Sequence, residues 1–367
     1  VVAIVERLRR SRAAASRAAR GHRFLLASAG TVVGLAAAGR VARRLPARPF
    51  VPDEELLGSV RGMPGTINGP KAWRIATETI EGQGSGTLVF THGWCLTEAV
   101  WDHQKEALGG RPWSVVTWDL PGHGRSTGVG PGQLTLDLAV ESLARVVDRA
   151  TDGDVILVGH SLGGVLTLRY LATHPETAAL RVRGAVVAAT PRMHLAGSVA
   201  GRWPGAMLES RALGSFMELM VSSSRVDRMF AAEAGTAATT SLSYRVVRTG
   251  FGREASPAQV RFVRDLIASV PPSVRLDTYR AMTGYDLSPA LAGITVPVTV
   301  VLGTRDRLVD PEESRAIAEL LPRADLVEFE GAGHAVMLER ADAFNEEVAA
   351  FARRRFRRAS RSARGVV

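Results

Sequence analysis

A single cysteine, Cys95, is all the thiol chemistry available to this 367-residue chain. An intramolecular disulfide is therefore excluded, and the core must hold by packing. Acidic residues are scarce at both ends. Residues 1–50 carry eleven arginines against Glu6, and residues 351–367 carry seven arginines and no acid, so the two ends stand at +10 and +7. The overall net charge is also +10, which leaves residues 51–350 at −7. A mildly acidic middle offers no basic groove, which argues against sequence-specific nucleic-acid binding. The basic ends suit an anionic membrane surface or serve as solvated tails. Between the N-terminal arginines, the apolar stretch 24–38 is shorter than the roughly twenty residues of a membrane span. It reads as a signal-peptide core, a marginal anchor or a helix packed on the domain. Membrane surface contact through this segment is the expectation, with a membrane-associated or cytoplasmic location and export left open. His, Asp and Cys residues form no tight ligand cluster, so no metal is expected. The glycine-rich stretches lack the lysine of a phosphate loop and the spacing of a dinucleotide fold, so no cofactor is expected.

What is present is an ordinary globular composition, 46% hydrophobic and 22% charged, long enough for one large core. From residue 72 the chain alternates apolar strands (73–80, 87–91, 114–119, 154–159, 183–189, 296–302, 325–330) with amphipathic helices (98–108, 134–150, 162–173, 311–321, 341–356). This predicts an α/β fold with a mostly parallel sheet covered on both faces. Asp310 before Pro311 is a helix start. Residues 191–285 break the rhythm and read as helical. Their methionines and aromatics, among them Met193, Trp203, Met207, Phe216, Met217, Met220, Met229 and Phe230, suit a cap over the sheet, as pocket lining or as the cap's own core. The expected organisation is a basic N-terminal segment (1–50), a core in two parts (51–190 and 286–356) around the cap (191–285), and a basic tail (357–367). No internal repeat is visible.

The chemistry gathers at a serine between the apolar strand 154–159 and the helix 162–173. Gly159-His160-Ser161-Leu162-Gly163-Gly164 reads as a nucleophile elbow, a sharp turn that lifts the hydroxyl over a helix N-terminus. A second G-x-S-x-G match, around Ser126, sits in a Gly/Pro-rich loop with no helix behind it and reads as structural. Three further segments each follow an apolar strand: Thr91-His92-Gly93-Trp94-Cys95, Asp119-Leu120-Pro121-Gly122-His123-Gly124, and the pair Gly303-Thr304-Arg305-Asp306 with Gly331-Ala332-Gly333-His334.

With these four motifs in order over residues 72–356, the chain resembles the α/β-hydrolase family, in particular its capped serine esterase and lipase-like members, such as monoacylglycerol lipase-like enzymes. The resemblance implies a triad in the chain order Ser161, Asp306, His334, with backbone amides of Trp94 and Leu162 as the oxyanion hole. Asp310 is the rival for Asp306, and His92, His123 and His160 are the rivals for His334. The ring of His160 is expected to point away from the serine, and His92 and His123 are expected to be structural, with Gly93, Gly159 and Gly163 supporting the turns. Cys95 reads as a small buried side chain. The resemblance implies a carboxylic ester hydrolase forming an acyl-enzyme from a small-molecule acyl ester, lipid-like or short. Serine at 161 argues against the alkyl-enzyme chemistry of the family's carboxylate-nucleophile members. The same triad serves acyl transfer, thioester or peptide hydrolysis, haloperoxidase or perhydrolase chemistry and C–C bond hydrolysis; a ligand-binding, receptor-like module is the non-enzymatic alternative.

Overall fold

The computed structural model describes residues 42–45, 54–193 (apart from 85, 111, 150 and 152) and 223–364, with side chains of the last helix described to residue 356. The stretch 24–38, residues 194–222 of the expected cap and the end of the tail lie outside the described residues. Among the described residues, nine strands form one sheet: β1 (Ala42–Leu45), β2 (Met63–Asn68), β3 (Arg74–Ile80), β4 (Gly86–Thr91), β5 (Trp113–Trp118), β6 (Val155–His160), β7 (Val182–Ala188), β8 (Val298–Gly303) and β9 (Ala324–Phe329). Their order is β1-β9-β8-β7-β6-β4-β5-β3-β2. Only β3 runs against its neighbours β2 and β5; the other pairs are parallel.

The helices in chain order are α1 (Asp102–Leu108), α2 (Leu136–Arg149), α3 (Leu162–Thr173), α4 (Pro175–Arg181), α5 (Ser224–Glu233), α6 (Leu242–Arg248), α7 (Pro257–Ser269), α8 (Pro272–Ala281), α9 (Ser288–Leu291), α10 (Pro311–Leu320), α11 (Val336–Glu339) and α12 (Ala341–Arg364). Alternate residues of each central strand feed opposite faces, as pleating requires. Val155 and Leu157 of β6 pack with Val165 and Leu168 of α3, Leu143 of α2 and Ile317 of α10. Ile156 and Val158 pack instead with Phe344, Val348 and Phe351 of α12 and with Phe230, Tyr244 and Val260 of the 223–285 helices. β4, β6 and β8 are buried at every position, which is why they read as continuous apolar runs.

Two strands go beyond those expected. β1 is arginine-rich and adds to the β9 edge, where Arg43 pairs with Glu347 at 2.7 Å and Arg44 with Glu328 at 3.0 Å. β2, with Pro64 and Gly65, is an exposed edge strand, where proline's missing donor is tolerated. Asp310 caps α10 by accepting from the Glu312 N–H at 3.1 Å, with Pro311 at the first helical position. No helix among the described residues is long and apolar enough to cross a membrane.

Candidate active site

The elbow joins the end of β6 to the start of α3. Ser161 adopts φ 52° and ψ −117°, a region that a residue with a Cβ enters only under constraint. The constraint comes from its neighbours: its N–H donates to Ala188 O of β7 at 2.8 Å, and its carbonyl accepts from the N–H groups of Gly164 and Val165. The turn also requires glycines. A Cβ on Gly159 would lie 2.4 Å from Gly163 O, and one on Gly163 would lie 2.1 Å from Thr91 O, so α3 could not seat against the ends of β4 and β6. Ser161 is partly exposed between two buried neighbours, His160 and Leu162.

The loop after β4 lies against the elbow. A Cβ on Gly93 would stand 3.2 Å from the Ser161 Cβ and 2.9 Å from the His160 Nδ1. His92 is fully buried and holds this loop at both ring nitrogens. Its Nε2 accepts from the Leu120 N–H at 2.9 Å, so its Nδ1 carries the proton and donates to Gly93 O at 2.8 Å. Burial lowers its pKa to about 4. His123 packs on it with ring centroids 5.4 Å apart, and burial lowers its pKa to about 3. Both rings are structural in their contacts. The Trp94 side chain bonds to Arg275 O at 3.0 Å and packs on Tyr279, which ties this loop to α8. The Trp94 N–H donates to no described residue. The Leu162 N–H, first in α3, has no intrahelical acceptor. Cys95 is buried, and burial pushes its thiol pKa up. Ser126, in the second G-x-S-x-G match, is buried and spans Ala76 N–H and Asp119 O, a purely structural position.

Asp306 and His334, 28 residues apart, are brought together: the His334 Nδ1 lies 2.8 Å from the Asp306 Oδ2, and the Asp306 side chain is only 2% exposed. The other Asp306 oxygen accepts from the N–H groups of Leu308 and Val309. Asp310 is occupied in capping α10. A carboxylate accepts only, so the His334 proton sits on Nδ1 and its Nε2 keeps a lone pair. The His334 ring packs on that of His160, with centroids 4.8 Å apart, and the His160 Nε2 lies 3.0 Å from the His334 carbonyl. His160 therefore faces the loop that bears His334, whereas it was expected only to turn away from the serine. The structure thus brings His334, Asp306, the elbow and the Gly93 loop to the C-terminal edge of β4, β6, β8 and β9. No hydrogen bond joins Ser161 to His334 among the described residues.

Sequence reasoning missed Glu339. This buried carboxylate accepts from the Gly333 N–H at 3.0 Å and the Gly252 N–H at 2.8 Å, and so pins the turn just before His334. Burial raises its pKa, with the two N–H groups opposing. A carboxylate set between Leu338 and Arg340 after an apolar run was the one available signal. Among the described residues no group of three or more His, Cys, Asp or Glu side chains is arranged to hold a metal ion.

The sequence model of the Alpha/beta hydrolase family matches residues 88–347. The chain belongs to this family. A pimeloyl-[acyl-carrier protein] methyl ester esterase of Xanthomonas campestris is 31% identical over 266 residues, covering 72% of this chain and 94% of that protein. The enzyme of the same name from Klebsiella pneumoniae is 27% identical over 277 residues, covering 73% and 94%. Among solved structures, a thermophilic esterase from Thermogutta terrifontis superposes with a TM-score of 0.63 at 21% identity, covering 79% of this chain and 98% of that one. A bromoperoxidase from Bacillus anthracis gives 0.65 at 22% identity, covering 79% and 99%. These two likenesses establish the fold. The esterase relatives agree with the sequence-based expectation of a carboxylic ester hydrolase enzyme.

Proposed function

We propose that this protein is a serine hydrolase that cleaves carboxylic esters through an acyl-enzyme, with Ser161 as nucleophile, His334 as general base and then acid, and Asp306 as the group that orients His334. The observation that carries this reading is the 2.8 Å contact between the His334 Nδ1 and the Asp306 carboxylate, beside an elbow serine of strained backbone. With Nδ1 committed, the His334 Nε2 is the basic atom that takes the Ser161 proton as the hydroxyl oxygen attacks the ester carbonyl. The oxyanion formed would be met by the N–H groups of Trp94 and Leu162, and removing one such donor typically costs about 3 kcal/mol of transition-state stabilisation. Collapse expels the alcohol, which takes its proton from His334. Water, deprotonated by the same imidazole, then releases the acid and regenerates Ser161.

The substrate reading is an ester of an aliphatic acid, lipid-like or short. The esterase relatives, named for a methyl ester of a carrier-bound acyl chain, support an acyl group of this kind. The test is a panel of p-nitrophenyl esters of increasing chain length. Wild-type protein should turn them over, and Ser161→Ala, His334→Ala and Asp306→Asn should each lose about 10⁴-fold or more in kcat/KM. Wild-type rates in the Ser161→Ala protein would overturn the assignment.

A further inference from the structure

His160 is a buried ring that the mechanism above does not use. Three buried imidazoles lie around the elbow, and their bonding differs. His92 spends both nitrogens within the oxyanion-side loops, and His123 bonds Pro121 O in its own turn. His160 alone reaches across the site. Its Nε2 lies 3.0 Å from the main-chain oxygen of His334, a residue 174 positions away. A carbonyl can only accept, so Nε2 carries the proton and the ring donates. The Nδ1 is then a bare lone pair, buried with no partner among the described residues and facing Gly93, where a Cβ would come within 2.9 Å. The ring meets the His334 imidazole at a tilt of 58°, with centroids 4.8 Å apart, and Trp101 stands edge-on at 6.5 Å.

We propose that His160 is a positioning residue for His334: by donating to its carbonyl and packing at a tilt against its ring, it sets the base at the height of the adjacent Ser161. This rests on the reading of His334 as the general base. The residue before the nucleophile and the residue that activates it are thereby joined by one hydrogen bond, so the elbow carries its own gauge for the base. The chemistry explains why a histidine stands here. The position needs a donor at the far end of a flat, rigid side chain, and it needs that donor to be uncharged. A guanidinium or ammonium so near a ring that becomes imidazolium during catalysis would oppose the proton transfer. Complete burial keeps His160 in the neutral form. The contact also accounts for Gly93, since any larger residue there would push the His160 ring off His334.

The test compares His160→Gln, His160→Asn and His160→Leu in the full-length protein. It reads kcat and KM on a short p-nitrophenyl ester and the second-order rate of fluorophosphonate capture. A glutamine amide reaches the place of the ring Nε2; an asparagine amide stops at the place of Nδ1. The Gln variant should stay within about 5-fold of wild-type kcat. The Asn and Leu variants should fall roughly 30- to 100-fold, the scale of an ångström-sized misplacement, with KM unchanged within about 2-fold. Fluorophosphonate capture should slow in parallel in protein that retains its wild-type thermal transition. Equal losses in the Gln and Asn variants would reduce His160 to packing and overturn the proposal, as would wild-type kcat in the Asn variant. His334→Ala, run alongside, separates the two layers. If it is inert while the Asn variant is undiminished, only the positioning role falls. If it reacts at the wild-type rate, the triad reading falls and takes the positioning role with it.

Discussion

Ser161 holds a backbone conformation that costs on the order of 1–3 kcal/mol for a residue with a Cβ. It is kept there by the hydrogen bond to Ala188 and by the start of α3. Glycine occupies φ 52° freely. Ser161→Gly is therefore expected to stabilise the fold by about 1 kcal/mol, a net of strain relief over the added freedom of the unfolded chain, while abolishing ester hydrolysis. Thermal unfolding of the two proteins side by side checks this; a lower melting temperature in the variant would show that the turn stores no strain. His92 makes a second prediction at this scale. Its folded pKa, lowered from 6.5 to about 4 by burial, lies below that of the unfolded chain, so the unfolded state takes the proton first. Its contribution is complete above pH 6.5 and is lost as pH falls toward 4, on the order of 2–3 kcal/mol between pH 7 and 4.5. Asp119 and Glu98, whose pKa values burial raises, run in the opposite direction. The measurement is thus the difference between wild type and His92→Asn in urea unfolding at the two pH values. The variant should lose less stability on acidification; equal losses would contradict the account.

At the scale of elements, the site depends on how the strand ends and loops are fastened beneath it. The 3₁₀ turn Glu98–Trp101 and α1 continue the loop that carries Trp94, and a buried charge cluster anchors them to β3. The Lys105 ammonium lies 2.6 Å from Asp102, 2.9 Å from Glu98 and 3.3 Å from Glu78, and it donates to Val60 O at 2.7 Å. Arg125 adds 2.9 Å to Glu78. Burial opposes the lysine charge, but Glu98 and Asp102 outweigh it and hold its pKa above the ordinary value. Lys105→Met would leave Glu78 and Glu98 with Arg125 as their cation and remove the ion-pair partner of Asp102, and breaking such a cluster typically costs about 3–5 kcal/mol. Chemical denaturation should show a loss of that size; a loss under about 1 kcal/mol would mean that the carboxylates are already neutral. None of this was legible beforehand, because Glu78, Glu98 and the Asp102–Lys105 pair lie on three separate elements and read as surface residues of amphipathic segments. β1 and β2 escaped for a related reason. Arg43-Arg44 and Pro64-Gly65 carry no apolar alternation, and edge strands are held by their neighbours rather than by their own pattern. By contrast, β4, β6 and β8 announced themselves through runs such as Val155-Ile156-Leu157-Val158, which only a doubly covered sheet can bury.

For the whole molecule, the family fold and the order of its motifs were readable because each motif sits where an apolar strand ends, and a parallel sheet gathers all such ends along one edge. The resemblance those motifs carry implied that Asp306 would orient His334, and the two side chains lie 2.8 Å apart. It could not supply the contact of His160 with His334, the pinning of Gly333 by Glu339 or the tie from Trp94 to α8. These join residues about 90 to 180 positions apart, or across a turn, through geometry that no local pattern encodes. The central claim is that Ser161 is the one activated nucleophile and that it is activated through His334. Mass-spectrometric mapping of protein treated with a fluorophosphonate probe tests this most directly. One adduct per chain on the peptide containing Ser161, absent from Ser161→Ala and His334→Ala, is the predicted result. An adduct on another residue, or full labelling of Ser161 in the His334→Ala protein, would contradict it.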